Sequence, residues 1–466
     1  MTSIKFGTDG WRAIIADTFT NENVARVAFA TAQWLKTQNN KPKVVVGYDT
    51  RFGGAMFADI TARILCSEGV HVFLGDGFVS TPMVSFGTKH LGADAGVIIT
   101  ASHNPPSYNG YKLKASFGGP AVPAVIKEVE DCIPEKAALP TNSLQDYIRQ
   151  GLLSLVPLED LYYEHVARSF DLEAIRNSGI RLAYDAMYGA GQRILPRILP
   201  NAQLMHCSYN PSFMGQAPEP IHKNLQPFAE YIAQDGNIDL GLATDGDADR
   251  IGLYDGKGNF VDSHHIILLL IHYLHHYKGI NGKVVCAFSV TERLKTMCEH
   301  YGLTCQITPI GFKYICEIMT QEQVIVGGEE SGGIAAAGHV PERDGIWMGL
   351  LVLEMMAKTG KSLQELIQEV YAITGSFAYD RSDLHLTEVL KQEILAKCKS
   401  NQYTSFGKYN VSKLETIDGF KYHFGKGEWI MIRASGTEPL LRVYAEAATA
   451  EQVADMLAEA RKTLLG

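Results

Sequence analysis

Four stretches of the sequence combine residue types that could carry chemistry, and each follows a short apolar run. The first is Thr100-Ala-Ser-His-Asn-Pro105, directly after Ala95-Gly-Val-Ile-Ile99. Such a run is typical of a buried strand, and the prolines at 105 and 106 prevent a helix or central strand from continuing. A serine on this loop, Ser102, is well placed to act in a cleft. The same letters also fit an ordinary turn.

The second stretch, Asp245-Gly-Asp-Ala-Asp-Arg250, follows the apolar run Leu240-Gly-Leu-Ala243. Its three carboxylates at alternate positions can converge on one hard cation, and oxygen-only ligation favours Mg²⁺ or Ca²⁺. An EF-hand is excluded, because Arg250 and Gly256 stand where that loop requires Gly and Glu. An acidic surface turn is the alternative, although like charges this close repel unless a cation binds.

The other two stretches are suited to binding a phosphorylated sugar. Gly327-Gly-Glu-Glu-Ser-Gly-Gly333 offers Glu329 and Ser331 to sugar hydroxyls. Arg433-Ala-Ser-Gly-Thr-Glu438 combines a guanidinium, two hydroxyls and a flexible backbone, which together can grip a phosphate. A plain glycine-rich turn and an ordinary hairpin loop remain the respective alternatives.

The elements around these stretches repeat one α/β unit. A strand over 44–49, a helix over about 55–68 and a strand over 70–74 form its first copy. Similar units begin at the strands 180–185 and 283–288, which predicts three related α/β domains. The last ninety residues or so have a different strand rhythm and a closing helix from Ala450, which indicates a smaller α+β domain.

Composition narrows the class of function. A chain of 466 residues suggests several domains, and a net charge of −9 argues against a general nucleic-acid binder. The longest apolar run, 266–271, is far too short to span a membrane, and no leader peptide is visible at the N-terminus. Eight cysteines without a C-x-x-C pair predict reduced thiols in a cytoplasmic protein. The sequence contains no G-x-S-x-G elbow, which argues against a serine hydrolase of the α/β type.

Taken in order, Phe6-Gly-Thr-Asp-Gly-Trp-Arg12 and the four stretches resemble the α-D-phosphohexomutase superfamily, and most closely a bacterial-type phosphoglucomutase. The resemblance covers nearly the whole chain. It implies an α/β protein of four domains around a central cleft: three related α/β domains with mixed sheets and a C-terminal α+β domain like the TATA-binding protein. We expect the domains at 1–145 (phosphoserine loop), 146–257 (metal loop), 258–373 (sugar loop) and 374–466 (phosphate loop).

The same resemblance implies roles for individual residues at the reacting phosphate. Ser102 matches the serine that carries the catalytic phosphate. Asp245, Asp247 and Asp249 match the ligands of one Mg²⁺ per chain, with phosphorylated Ser102 completing the shell. Three further residues complete this set: Lys112 as general acid or base, His103 as an assistant to the adjoining nucleophile Ser102, and Arg12 beside the phosphoserine.

Further residues match the substrate-binding set. Glu329 and Ser331 correspond to the readers of sugar hydroxyls. The loop that holds the non-reacting phosphate corresponds to Arg433, Ser435, Gly436 and Thr437. Additional cations of the cleft are expected at Arg250, Lys313 and Arg343.

The reaction implied is the interconversion of glucose 1-phosphate and glucose 6-phosphate through phospho-Ser102 and a bound glucose 1,6-bisphosphate that turns end over end. A hinge near residue 375 would close the fourth domain and exclude water. Glucose is favoured because Gly333 replaces the His found in phosphomannomutase-type and glucosamine-type sugar loops, although the Arg433 loop resembles the glucosamine form.

Several alternatives stay open at this stage. Mannose or glucosamine phosphates are rival substrates, and the same residues would serve a synthase that releases hexose 1,6-bisphosphate. A non-catalytic regulator that binds phosphosugars is a rival from another class. The expected partner is a phosphohexose, without nucleic acid or membrane, in a monomer or homodimer.

Overall fold

Strands that end in polar loops alternate with helices through the first part of the chain. The computed structural model describes residues 4–425, 427–434 and 440–466. The strands there are β1 (Trp11–Ile14), β2 (Lys43–Tyr48), β3 (His71–Gly75), β4 (Ala95–Ile99), β5 (Tyr108–Ala115) and β6 (Leu153–Val156). The helices are α1 (Asn21–Gln38), α2 (Gly54–Ser67), α3 (Thr81–His90), α4 (Pro123–Asp131) and α5 (Leu144–Arg149).

These strands form a mixed sheet in the order β1-β5-β4-β2-β3-β6. β2 pairs in parallel with β3 and β4, whereas β5 runs antiparallel to both β4 and β1. Every residue of β4 is buried, as expected for a central strand covered on both faces. Since β2 and β4 are parallel neighbours, the loops that follow them meet at one edge of the sheet.

A second sheet follows, in the order β11-β10-β9-β7-β8. Its strands are β7 (Leu182–Asp185), β8 (Gln203–Met205), β9 (Leu240–Thr244), β10 (Ile251–Asp255) and β11 (Phe260–Val261). The helices of this region are α6 (Leu158–Ser169), α7 (Leu172–Asn177), α8 (Ile194–Ile198) and α9 (Gln226–Asp235). β9 and β10 are buried throughout and form an antiparallel pair, and the loop 245–250 connects them.

The next region contains the strands β12 (Lys283–Ala287), β13 (Cys305–Thr308), β14 (Val324–Gly328) and β15 (Ile334–Ala336). Its helices are α10 (Ser263–His272), α11 (Arg293–Tyr301), α12 (Phe312–Gln321), α13 (Gly345–Thr359) and α14 (Leu363–Thr374). β12 and β13 are parallel, and β14 and β15 are antiparallel. A π-helical turn, Tyr273–Tyr277, continues α10.

The C-terminal region is an antiparallel sheet with two helices, of which the sequence predicts the closing one. Its five-stranded sheet has the order β16-β22-β21-β20-β19. A small hairpin of β17 and β18 lies between β16 and β19 in the sequence. The strands are β16 (Ala378–His385), β17 (Ser405–Phe406), β18 (Tyr409–Asn410), β19 (Lys413–Glu415), β20 (Phe420–Gly425), β21 (Glu428–Ala434) and β22 (Leu440–Ala447). The helices are α15 (Glu388–Lys399) and α16 (Ala450–Leu465).

Contacts between Cα atoms divide the chain into two compact units. The larger unit contains residues 1–281 and 311–366, and the smaller contains 282–310 and 367–466. In the smaller unit, the buried ammonium of Lys421 lies 4.5 Å from the ring of Phe288 and 4.2 Å from that of Trp429, so β12 and the C-terminal sheet share one core. The four domain boundaries expected from the sequence stay a prediction.

Two general expectations can be compared with the described residues. No helix among them combines the length and the apolarity needed to cross a lipid bilayer. The eight cysteines, which all lie in the described part of the chain, are thiols rather than disulfides, and five of them are buried, in agreement with the reduced state that their spacing predicts.

Candidate active site

Ser102 lies on the loop after β4 in an unusual backbone conformation. Its φ is +53°, in the left-handed region that non-glycine residues rarely adopt, and its side chain is buried. The Oγ atom donates a hydrogen bond to Oδ2 of Asp245 at 2.7 Å and lies 3.2 Å from Nδ1 of His103. We call the loop of residues 100–107 the catalytic loop and the loop of residues 245–250 the acidic loop. The catalytic loop therefore presents its serine directly to the acidic loop.

The three aspartates of the acidic loop converge as the sequence predicts. Asp245, Asp247 and Asp249 are fully buried, and one carboxylate oxygen of each lies within 4.8 Å of the others. Burial and the two neighbouring carboxylates raise the pKa of Asp245 well above its ordinary value. Oδ1 of Asp247 and Oδ1 of Asp249 are buried without a hydrogen-bond partner. An oxygen-only set with two such atoms fits Mg²⁺.

Lys112, on β5, is the central cation of this cluster. Its buried Nζ lies 2.8 Å from Asp247 Oδ2, 3.0 Å from Asp249 Oδ2 and 2.9 Å from Asp9 Oδ2. Burial alone would lower the pKa of Lys112, but the three carboxylates outweigh it and raise the pKa. The ammonium form is favoured, which is the form that a general acid needs.

Arg343 is the second buried cation that meets the acidic loop. Its Nη2 lies 2.7 Å from Asp249 Oδ2 and also donates to Asp9, so Asp9 joins Lys112 and Arg343. Glu342, beside it in the sequence, accepts from Lys114 Nζ at 2.6 Å. The role of Arg343 as a cleft cation for substrate stays a prediction; in the structure its guanidinium contacts the carboxylates of Asp9 and Asp249.

Three polar residues surround the serine on its other side. Arg12, on β1, donates to Oδ1 of Asn104 in the catalytic loop at 2.7 Å. Arg250 donates to Glu219 at 3.1 Å, and its Nη2 lies 3.4 Å from Nε2 of His103. Burial, followed by these two guanidinium groups, lowers the pKa of His103 well below its usual range. The imidazole is therefore neutral at physiological pH and suited to hydrogen bonding with the serine.

The sugar loop joins the acidic loop through the backbone. Arg250 and Gly333 form an isolated antiparallel bridge, and Ile251 N–H donates to the carbonyl of Gly332 at 3.1 Å. Glu329 is buried, and burial raises its pKa to about 7 although Arg343 opposes the shift. The bridge holds the sugar loop next to the acidic loop.

The remaining predicted residues lie in three different places. Ser331 is partly exposed within the sugar loop, and Lys313 lies on α12, 5.2 Å from the ring of Tyr314. Arg433 is the last residue but one of β21, in the smaller unit, and its Nε lies 3.2 Å from Oδ1 of Asp418. Three residues of the predicted phosphate loop lie outside the described residues: Ser435, Gly436 and Thr437.

The sequence analysis did not select several residues that hold the site together. Thr81, at the start of α3, donates its hydroxyl and its N–H to Asp247. Asp9 binds Lys112, and the buried Arg51 donates to the carbonyl of Ser102. Their only sequence signals are Gly-Thr-Asp-Gly, Ser-Thr-Pro and Asp-Thr-Arg, short motifs at strand ends or tight turns.

Comparisons with known proteins agree with this geometry. Models of the phosphoglucomutase/phosphomannomutase family match residues 3–139 (alpha/beta/alpha domain I), 160–258 (domain II), 262–373 (domain III) and 386–463 (C-terminal domain). A phosphoglucomutase/phosphomannomutase of Thermococcus kodakarensis is 31% identical over 97% of this chain and 96% of its own. A phosphoglucosamine mutase of Deinococcus radiodurans is 31% identical over 98% and 97%.

A solved structure also resembles this chain over its whole length. A Thermus thermophilus protein with the provisional name phosphomannomutase is 35% identical, superposes with a TM-score of 0.88, and covers 100% of both chains. The predicted four-domain α/β fold is confirmed by these matches.

Proposed function

The chain belongs to the phosphoglucomutase/phosphomannomutase family, and from this membership we propose that it interconverts glucose 1-phosphate and glucose 6-phosphate. Its relatives are phosphomutases, so the chain is an isomerase that moves a phosphoryl group within one sugar. The observation that carries the proposal is the buried contact of Ser102 Oγ with Asp245 at 2.7 Å, inside a cluster that also contains Lys112.

The reaction has two phosphoryl transfers. In the first, the bond between phosphorus and Ser102 Oγ breaks, a new bond forms to the 6-hydroxyl oxygen of glucose 1-phosphate, and the proton lost by that hydroxyl is replaced by one gained at Ser102 Oγ. The bound glucose 1,6-bisphosphate then turns end over end. In the second, Ser102 Oγ loses its proton and bonds to the phosphorus of the 1-phosphate, the bond between phosphorus and O1 breaks, and O1 gains a proton, which leaves glucose 6-phosphate.

Residues of the chain supply the positioning and charge that phosphoryl transfer needs. Mg²⁺ held by Asp245, Asp247 and Asp249 would neutralise charge on the transferring group. Lys112 is placed to exchange the proton of the attacking or leaving hydroxyl. Arg12 lies against the catalytic loop, where its guanidinium can bind the phosphate of phospho-Ser102.

Other residues are proposed to hold the rest of the substrate. Glu329 and Ser331 accept hydrogen bonds from sugar hydroxyls, with Lys313 and Arg250 as nearby cations. The non-reacting phosphate is assigned to the loop of Arg433, Ser435, Gly436 and Thr437. A phosphate-binding loop separate from the metal is needed because the two ends of the bisphosphate exchange places.

The choice of glucose rests on Gly333. A Cβ atom at this position would lie 2.5 Å from Cδ of Arg343, which is closer than real Cβ contacts allow. A His there would displace the guanidinium that binds Asp249, so the histidine-bearing form of the sugar loop does not fit this packing. The name of the Deinococcus radiodurans relative favours glucosamine 1-phosphate as a second candidate.

A direct assay tests the proposal. Purified protein with Mg²⁺ and a trace of glucose 1,6-bisphosphate is given glucose, mannose or glucosamine 1-phosphate, with Ser102→Ala as the control. We expect glucose 1-phosphate to be converted fastest and Ser102→Ala to be inactive. Preference for glucosamine 1-phosphate would contradict the sugar assignment. Phosphorylation of Ser102 without turnover of any sugar would favour a synthase that releases the bisphosphate.

A further inference from the structure

Arg51 donates hydrogen bonds to four backbone carbonyl groups, three in the catalytic loop and one at the first residue of β5. Its side chain, in the loop between β2 and α2, is fully buried. Nη2 donates to the carbonyls of Ser102 at 2.5 Å and Asn104 at 2.7 Å, and Nη1 donates to those of Pro105 at 3.0 Å and Tyr108 at 3.1 Å. One guanidinium therefore ties together almost the whole turn that carries the serine.

The conformation of Ser102 explains why such a tie is needed. A non-glycine residue at φ +53° is strained, and strain of this kind persists only where surrounding contacts fix it. Ser102 N–H donates to Oγ1 of Thr100 at 2.9 Å, and that hydroxyl donates to Oδ2 of Asp49 at 2.5 Å. Asp49 Oδ2 in turn lies 3.4 Å from Nε of Arg51. Thr100, Asp49 and Arg51 thus form a chain of contacts that holds the backbone of Ser102 at its N–H and at its carbonyl.

The same contacts exclude a direct role for Arg51 in binding phosphate. Four of the hydrogen bonds that its five N–H groups can make go to backbone carbonyls, and Nε faces Asp49. The ring of Phe213 lies 4.9 Å from the guanidinium carbon. Both Nη atoms of the guanidinium are engaged by carbonyls and the group is shielded from solvent, so it can act on the reaction only through the loop that it holds.

We propose that Arg51 is a positioning residue, which keeps Ser102 in the strained conformation that directs Oγ at the acidic loop. The inference rests on the proposed function, because its consequence is measured as phosphoryl transfer through Ser102. A displacement of reacting atoms by about 1 Å lowers rates by roughly 100-fold. Loss of Arg51 should therefore lower kcat rather than weaken the binding of the hexose phosphate.

The test compares Arg51→Ala and Arg51→Lys with the wild type and with Arg26→Ala. Arg26 is a matched control, because its Nε also donates to a carbonyl, that of Pro134 at 2.7 Å, away from the catalytic loop. We expect Arg51→Ala to lower kcat by roughly 100-fold while KM changes less than about threefold. Arg51→Lys should retain part of the activity, and low concentrations of guanidinium ion should partly restore Arg51→Ala.

Other outcomes would overturn the proposal. Unchanged kcat in Arg51→Ala, or a rise in KM at constant kcat, contradicts a positioning role. If Arg51→Ala does not fold, Arg51→Lys decides the question: a lowered kcat at unchanged KM supports the proposal, and wild-type kinetics contradict it. A wild type that converts no hexose phosphate contradicts the proposed function itself, so the two failures are distinguishable.

Discussion

At the scale of single residues, the site is a balance of buried charges. The ammonium of Lys112 meets the carboxylates of Asp9, Asp247 and Asp249, and the guanidinium of Arg343 meets those of Asp9 and Asp249. Asp245 instead accepts the hydrogen bond from Ser102 Oγ. Buried like charges are costly unless paired. Oδ1 of Asp247 and Oδ1 of Asp249 are buried without a hydrogen-bond partner, and one divalent cation would pair these oxygens. The cluster is therefore suited to bind Mg²⁺ and then a phosphate.

Glu329 gives the site an expected pH dependence. Burial raises its pKa to about 7, so it loses its proton only as the pH rises through this value. As a hydroxyl acceptor it acts in the charged form, so kcat/KM should fall as the pH drops below about 7. Glu329→Gln should lower kcat/KM by about 10- to 100-fold, as expected for a lost hydrogen bond to a charged group, and remove this acid limb.

The neighbouring Glu330 supplies the matched control. It is only partly buried, and no role is assigned to its side chain. Its charge is one of the causes that raise the pKa of Glu329, so Glu330→Gln should keep the acid limb of kcat/KM and move it to lower pH. An acid limb that persists in Glu329→Gln would show that another group is titrating.

Sequence reasoning was most successful for residues that lie within a recognisable motif. Ser102 and the three aspartates could be selected because each group follows an apolar strand. Thr81 could not, because its partner Asp247 lies 166 positions away, and nothing local distinguishes its hydroxyl from any other helix-starting threonine. Contacts of this kind depend on how separate elements pack, which a single sequence does not display.

At the scale of elements, α3 links parts of the site that are distant in sequence. Thr81 begins this helix and binds Asp247, while Ser85, one turn later, donates to Glu342 at 2.9 Å. The helix thus contacts both the acidic loop and the turn that leads to Arg343. Ser80 caps this helix by accepting a hydrogen bond from Met83 N–H, and Pro82 stands in its first turn.

The approach of β5 to its neighbours makes Gly110 essential for the sheet. A Cβ atom there would lie 2.5 Å from the carbonyl oxygen of Thr100 and 2.7 Å from that of Trp11, both of them backbone atoms. Gly110→Ala must separate these strands, so we expect it to lower the free energy of unfolding by about 1–3 kcal/mol. Thermal unfolding followed by circular dichroism measures this change.

Gly7 is the control for that substitution. Its nearest neighbour to an added Cβ is 3.5 Å away, which is ordinary van der Waals contact, so Gly7→Ala should unfold like the wild type. Equal stability of the Gly110→Ala variant would contradict the close approach of the strands. The sequence does not tell which of the two glycines is crowded, because both occur in similar polar stretches.

At the scale of the whole molecule, two units with separate cores should unfold separately. Differential scanning calorimetry is expected to resolve two transitions. Mg²⁺ at about 100 times its Kd should stabilise the larger unit, which contains the acidic loop, by about 2.7 kcal/mol. Lys421→Met should lower the free energy of unfolding of the smaller unit by about 1–2 kcal/mol, because it removes a buried cation–π contact.

Two variants serve as controls for the calorimetry. Asp247→Asn should abolish the shift caused by Mg²⁺, and Lys462→Met, which changes a largely exposed lysine, should leave both transitions in place. A single transition that responds to Mg²⁺ and to Lys421→Met alike would contradict independent unfolding of the units.

The position of Arg343 in the chain has a consequence for the newly made protein. Arg343 is synthesised 94 residues after its partner Asp249. At about 5–20 residues per second, the aspartates of the acidic loop wait roughly 5–20 seconds on the ribosome for this cation. Lys112 has already emerged by then, but the charge cluster cannot be completed. Assembly of the catalytic centre is therefore a late event in translation, after the sheet that carries Ser102 has left the exit tunnel.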